Sequence, residues 1–298
     1  MPKASSAAGR PRSVTATAAP SPYACDSLPP APRRGGLRIV SWNINSIRLR
    51  LKLLHKLIRI ADPDVVCLQE TKTEDQHFPR EEIEKAGYPY QCFHGMKGYN
   101  GVAILSRRPL ADHGRLSWCD KDDSRHVHVT LPGGIELHNV YVPAGGDIPD
   151  PALNPKFSHK LQFLRELQAF WSRQPRGRKR ILVGDLNVAP LENDVWSHKQ
   201  LLDVVSHTPV EVQLLTKLQA AHQWVDATRL LFPEPQRIYT WWSYRNRDWR
   251  ASDRGRRLDH VWVTPELKAN IRAVHVLKSA RDWPSPSDHV PVVLDLAL

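Results

Sequence analysis

The chain has 298 residues, 41% of them hydrophobic and 24% charged, which is ordinary for a soluble globular protein and long enough for one large α/β core or two small ones. Lys and Arg outnumber Asp and Glu by 42 to 31, giving +11 and a pI near 9.7, a balance that favours a polyanionic partner, nucleic acid or an anionic membrane surface. No apolar run approaches the roughly 18 residues that span a bilayer, and Cys25, Cys67, Cys92 and Cys119 show no CxxC or zinc spacing, so a membrane partner and a zinc fold are not expected and a reducing compartment fits best.

Residues 1–36 are rich in Ala, Pro, Ser and Arg. Lys3, Arg10, Arg12, Arg33 and Arg34 against the single acid Asp26 give this segment +4, leaving +7 on the rest. Such a composition reads as a disordered basic tail, because it cannot bury enough apolar surface to offset ordering entropy. An organelle transit peptide shares the bias, but no amphipathic helix is visible. Residues 37–298 read as the folded domain, and a cytoplasmic, nucleoid-associated protein is the expectation if the tail is not an import signal.

From Leu37 the pattern alternates. LRIVSW (37–42) reads as a strand. Ile47, Leu51, Leu54, Ile58 and Ala61 recur as one helix face, which Asp62-Pro63 ends. DVVCLQE (64–70) is a second buried strand, with Cys67 as a buried thiol. GVAILS (101–106), HVHVTL (126–131) and IELHNVYV (135–142) follow as strands, the last two joined at Gly133-Gly134. Phe157, Leu161, Leu164, Leu167 and Trp171 mark a helix. Strand ILVGD, a helix around 210–220, and strands near 237–243, 257–263, 271–277 and 289–296 complete an α/β layered sandwich with much antiparallel pairing.

Polar groups gather where these strands end: Asn43 and Asn45, Glu70, Tyr141, Asp185 and Asn187, Asp259, then Asp288 and His289. Any one reads as a turn former. Together, scattered carboxylates and amide oxygens suit a hard cation such as Mg²⁺, which takes few protein ligands and keeps its waters. A lone His with a separate Asp is a candidate oriented acid/base.

WNINSIR (42–48), LQETK (68–72), GVAILSR (101–107), NVYVPAG (139–145), GDLNVAP (184–190), TWWSYR (240–245), RLDH (257–260) and SDHVPV (287–292) occur in this order. The sequence resembles the exonuclease III family of abasic-site endonucleases, within the endonuclease/exonuclease/phosphatase superfamily, over about residues 37 to 298. The resemblance implies a four-layered, DNase I-like α/β sandwich of two mixed sheets flanked by helices. It implies Mg²⁺, with Mn²⁺ as a possible substitute, in one or two copies. Glu70, Asn43 and Asp288 would hold the ion, Asp185 and Asn187 a second one in some readings. Asp185 would deprotonate or orient the attacking water and Asn187 would position it. Asp259 would fix the tautomer of His289, which would point at the scissile phosphate, and Tyr141 would contact a phosphate oxygen or help the leaving group. The DNA contacts implied are Arg48, Lys72, Lys97, Tyr99 and Arg245, with Trp241 and Trp242 at a pocket for a flipped abasic sugar. The basic run Arg245, Arg247, Arg250, Arg254, Arg256 and Arg257 fits backbone binding.

Two residues depart from relatives: Arg256 stands where some carry a pocket aromatic, and Asp147 lies near where some carry an inserted arginine. The expected function is therefore a Mg²⁺-dependent DNA-repair phosphodiesterase that cuts 5′ to abasic sites in double-stranded DNA and cleans blocked 3′ ends. The alternatives are a chiefly 3′-directed exonuclease, a phosphohydrolase acting on RNA or inositol phosphates, and a catalytically dead nucleic-acid binder. A monomer is the simplest expectation.

Overall fold

The computed structural model describes residues 21, 23, 28–32 and 35–298, so most of the expected tail, and Cys25, lie outside the described residues. Tyr23 and Leu28–Pro32, which composition assigns to that tail, pack on the domain. The Tyr23 hydroxyl accepts the Tyr239 N–H at 2.7 Å, and the Pro29 carbonyl accepts from Arg38 Nη1 at 3.1 Å.

The chain runs β1 (Gly36–Asn43), β2 (Val65–Gln69), β3 (Tyr90–His94), β4 (Val102–Ser106), β5 (Ala111–Gly114), β6 (His126–Leu131) and β7 (Ile135–Tyr141). It continues through β8 (Arg180–Asp185), β9 (Val225–Asp226), β10 (Trp241–Trp242), β11 (Gly255–Arg256), β12 (Asp259–Val263), β13 (Ile271–Val276) and β14 (Val292–Ala297). One six-stranded sheet has the order β13-β14-β1-β2-β4-β3, the other β5-β6-β7-β8-β12-β9. In each, a single parallel pair, β1 with β2 and β7 with β8, sits among antiparallel neighbours. Each parallel pair needs a crossover, which the helices Leu51–Ala61 and Pro155–Arg173 supply.

The sheets pack face to face, and side-chain alternation sorts each strand between two cores. In β8, Ile181 and Val183 face the inter-sheet core, while Leu182 lies under the helices Pro155–Arg173 and Pro209–Ala221 with Val140, Trp171 and Leu215. β12 repeats this with Val261 and Val263 on one side and Trp262 on the other. With helices outside, the chain is the expected four-layer α/β sandwich. No described helix is long and apolar enough to cross a membrane.

Several expected elements are shorter. The first helix starts at Leu51, not at Ile47, because 47–50 form the turns that lead into it. Strand 237–243 reduces to Trp241–Trp242, and 289–296 begins only at Val292, since Asp288 and His289 belong to a loop. The polar edge strands β3 and β5 have no periodic signal in the sequence.

Arg257 corrects the reading of the basic run. It is fully buried, donating to both Asp194 oxygens at 2.7 and 2.8 Å and to Asp226 at 2.7 Å. Arg229 also pairs with Asp194. Arg257 is thus an internal tie between segments and unavailable to DNA. Against burial, the two guanidinium groups hold the Asp194 carboxyl below the ordinary carboxylate range, so its stabilising contribution is present above about pH 4 and lost as pH falls through the lowered value. Asp194→Ala strands two buried cations and should cost about 3–5 kcal/mol, measured by denaturant unfolding at neutral pH; a loss under about 1 kcal/mol would show the cluster to be solvated.

Candidate active site

The site lies where the two sheets meet, and four of its side chains come from the C-terminal ends of the two parallel pairs. Asn43 closes β1, Glu70 follows β2, Tyr141 closes β7 and Asp185 closes β8. Asp185 continues the inward face of Ile181 and Val183, so the period of two aims its carboxylate into the inter-sheet gap. Asp259 is its register partner on β12 and shares that face. Gly184 is required beside it: at φ +144, a Cβ would meet the Val140 carbonyl oxygen at 1.9 Å.

Asn43 ties the sheets together. Its Nδ2 donates to Glu70 Oε1 at 2.8 Å and to Asp185 Oδ2 at 2.9 Å. The Tyr141 hydroxyl donates to Glu70 Oε1 at 2.8 Å, and Lys72 Nζ lies 2.8 Å from Glu70 Oε2. Lys72 also donates to Asn45 Oδ1 at 2.7 Å, and Asn45 Nδ2 donates to Asp288 Oδ1 at 3.1 Å. Trp241 Nε1 donates to Asp288 Oδ2 at 2.9 Å. Asn45, Glu70, Lys72 and Asn187 all have left-handed backbone, uncommon outside glycine and concentrated here at the side chains that converge.

His289 Nδ1 is 2.8 Å from Asp259 Oδ2, and its Nε2 is 3.6 Å from Asp185 Oδ2. Burial alone would lower the His289 pKa, but Asp259 and then Asp185 outweigh it and raise the value, keeping the ring an imidazolium. Burial raises the Asp185 pKa, a shift that Asp259 reinforces and His289 opposes. Burial, Glu70 and Asp185 push the Tyr141 hydroxyl well above its ordinary value. Against burial, Lys72 and Asn43 hold Glu70 low, and His289 and Trp241 do the same for Asp288.

Two groups of residues could hold a metal ion. Asp185, Asp259 and His289 present ligand atoms within 4.8 Å of one another, and Asp259 Oδ1 is buried without a partner. His289 Nδ1 is engaged by Asp259, and a protonated ring would itself place a cation between those carboxylates. Glu70 and Asp288 both line the cleft and are joined through Lys72 and Asn45; Asn43 meets Glu70 with its amide N–H, so its oxygen would join them only after the amide turns. Among the described residues, Glu70, Asp185, Asp259 and Asp288 are ion-paired with two cationic side chains, Lys72 and His289. That surplus of negative charge fits a divalent hard cation.

Both tryptophans sit by the site with different jobs. Trp242 is fully buried against Tyr239 and Trp249. Trp241 lines a cleft of about 760 Å³ with Glu70, Asn187, Asp288, His289, Arg245 and Arg256, and Asp147 lies at its rim. Arg48, Lys97 and Tyr99 are exposed, Tyr99 at 72%. Lys72 is drawn into the carboxylate cluster. His260, part of RLDH, is buried: Nε2 donates to the Val188 carbonyl at 2.9 Å and Nδ1 accepts from Arg257.

Sequence reasoning noted Asn45 at a strand end without giving it a role, and passed over Arg125 and Lys160. Asn45 stood inside a quoted motif and joins Lys72 to Asp288. The Arg125 guanidinium lies 4.9 Å from the Tyr141 ring centre. Lys160, fully buried, is ion-paired with Glu211 and donates to the Asn187 carbonyl at 2.8 Å. Nothing in a mid-helix lysine signals that role.

The arrangement defines a class: a hydrolase with several carboxylates and an Asp-paired histidine at one cleft between two packed sheets. The chain belongs to the endonuclease/exonuclease/phosphatase family, whose model matches residues 40–289. Exodeoxyribonuclease III of Haemophilus influenzae is 30% identical over 268 residues, 86% of this chain and 98% of its own. An AP endonuclease from Archaeoglobus fulgidus superposes with a TM-score of 0.82 at 32% identity, over 88% of this chain and all of that one. A Neisseria 3′ phosphatase bound to product DNA hairpin gives 0.78 at 28%, with the same coverage. The chain is therefore a phosphodiester-hydrolysing nuclease of exonuclease III type, as the sequence resemblance implied.

Lys160→Met leaves Glu211 buried without its cation and should cost about 3–5 kcal/mol, with reduced kcat because Asn187 loses its support. Lys160→Met with Glu211→Gln removes both charges and should recover much of the stability. Equal losses in the single and double variants, read from unfolding curves, would show that the pair is not coupled.

Proposed function

We propose that this nuclease is a Mg²⁺-dependent DNA-repair phosphodiesterase that incises double-stranded DNA 5′ to abasic sites and cleans blocked 3′ ends. The observation that carries the reading is the convergence of Glu70, Asp185, Asp259 and Asp288 with one Asp-paired histidine at the floor of one cleft. The names of similar proteins, an exodeoxyribonuclease III, an AP endonuclease and a 3′ phosphatase, support DNA as the substrate. So do the charge of +11 and the exposed Arg48, Lys97, Tyr99 and Arg245, the last of which lines the cleft.

Glu70 and Asp288, with Asn43 turning its amide oxygen inward, would hold the ion, which when bound supplies positive charge to the phosphate oxygens and the leaving oxygen. Asp185 takes a proton from the attacking water while the Gly-Asp-x-Asn turn keeps Asn187 beside it. Water oxygen bonds to phosphorus, the P–O3′ bond breaks, and the products are a 3′ hydroxyl and a 5′ phosphate. His289 donates through Nε2 to a nonbridging oxygen, with Asp259 holding its tautomer. Tyr141 contacts a phosphate oxygen or assists the leaving 3′ oxygen. Mn²⁺ should substitute for Mg²⁺, and a monomer suffices because every side chain of the site comes from one chain.

A gel assay on a labelled duplex with one abasic analogue, with Mg²⁺ and with chelator, tests the reading. A single nick 5′ to the lesion, abolished by chelation, is expected. Mg²⁺-dependent shortening from the 3′ end without that nick would move the activity to end processing, and no cleavage of either kind would refute it. His289→Ala should lower kcat by about 10²-fold or more at similar DNA affinity; collapsed affinity with surviving turnover would contradict the role given to His289.

A further inference from the structure

One wall of the cleft is built differently from the rest of the basic segment. Arg256 is the register partner of Trp241 in the β10–β11 ribbon, and its guanidinium lies 5.2 Å from the Trp241 ring centre. Its neighbours are neutralised: Arg257 by Asp194 and Asp226, Arg250 by Asp282. Arg256 instead has neutral acceptors. Nη1 donates to the Val205 carbonyl at 2.8 Å and to Ser206 Oγ at 2.7 Å, while Nε has no partner. No described carboxylate forms an ion pair with it.

This guanidinium is also fixed in place. Ser206, at φ 86, donates its N–H to both Glu211 oxygens at 2.9 Å. Glu211 is held by Lys160 and by the Thr208 N–H and hydroxyl. A preset cation paired only with neutral groups therefore lines the same cleft as Glu70 and His289.

A bare deoxyribose would desolvate this wall without satisfying it, since a sugar has no planar face for the guanidinium and few acceptors. A base-bearing nucleotide offers a planar face to the stacked Arg256–Trp241 pair and acceptor atoms at its edge. A cleft of about 760 Å³ has room for it. We propose that Arg256 is a specificity-determining residue that, with Trp241, makes the cleft accept the base-bearing 3′-terminal nucleotide of a DNA strand in preference to a bare deoxyribose. The proposal rests on DNA being the substrate, as argued above.

The test compares the full chain with Arg256→Leu, Arg256→Lys and Ser206→Ala on recessed duplexes ending 3′ in a normal nucleotide or in an abasic analogue. Affinity is read by fluorescence anisotropy in chelator. Turnover is read with Mg²⁺ as 3′-nucleotide removal against incision at an internal abasic analogue. The wild type should bind the normal end about 10-fold more tightly, because a site with hydrogen-bonding groups rejects a ligand that leaves them unpaired. Arg256→Leu should bring the two ends within about two-fold and tilt turnover toward abasic incision by a similar factor, with Arg256→Lys and Ser206→Ala between. Equal effects of Arg256→Leu on both ends, or a wild-type preference for the abasic end, would overturn the proposal. If the wild type cleaves neither duplex but keeps the binding preference, the repair reading fails and this one stands. If it cleaves both with no preference, the reverse holds.

Discussion

The site depends on the alignment of two sheets, and one buried hydrogen-bonded bridge sets it. Gln69 Nε2 on β2 donates to Asn139 Oδ1 on β7 at 2.7 Å, and Asn139 Nδ2 returns to the Leu68 and Ala103 carbonyls at 2.9 Å each. These buried amide hydrogen bonds form only in one register, so slippage of either sheet would leave the Asn139 amide unpaired at several kcal/mol. One residue beyond Gln69 stands Glu70, and two beyond Asn139 stands Tyr141. The bridge therefore brings Glu70 to the Tyr141 hydroxyl, and Asn43 to Asp185.

Electrostatics explains why so much of the surrounding structure is polar and buried. A cleft for a phosphodiester that is lined with carboxylates is self-repelling without cations. Lys72 and His289 relieve part of that cost, and an added divalent ion would relieve more. The second buried pair, Lys160–Glu211, lies behind both working loops. Lys160 holds the Asn187 carbonyl on one side, and Glu211 holds Ser206, hence Arg256, on the other. The Asn187 turn and the Arg256 wall of the cleft thus share one buried support, which favours precise geometry over adaptability.

Much of this was legible in the sequence. Periodicity located the buried strands ending at Asn43, Glu70, Tyr141 and Asp185, because strands covered on both faces read as apolar runs. The polar residues at their ends stood out for the same reason. Edge strands β3 and β5, half exposed and polar, carry no such contrast. Nor can sequence reveal that Lys72 turns inward to Glu70, that Asn45 joins Lys72 to Asp288, or that Lys160 is buried, since long cationic side chains are ordinarily solvated.

The pair Arg256-Arg257 shows where sequence reading stops. Two adjacent arginines in an extended segment point to opposite sides by backbone alternation alone. One enters a nest of acids and is internal structure; the other meets only a carbonyl, a hydroxyl and an indole and faces the cleft. Composition counts both as positive charge for DNA. The distinction lies in Asp194 and Asp226, about 63 and 31 residues away in the chain. Their carboxylates fix which arginine is consumed by the fold and which is left lining the cleft.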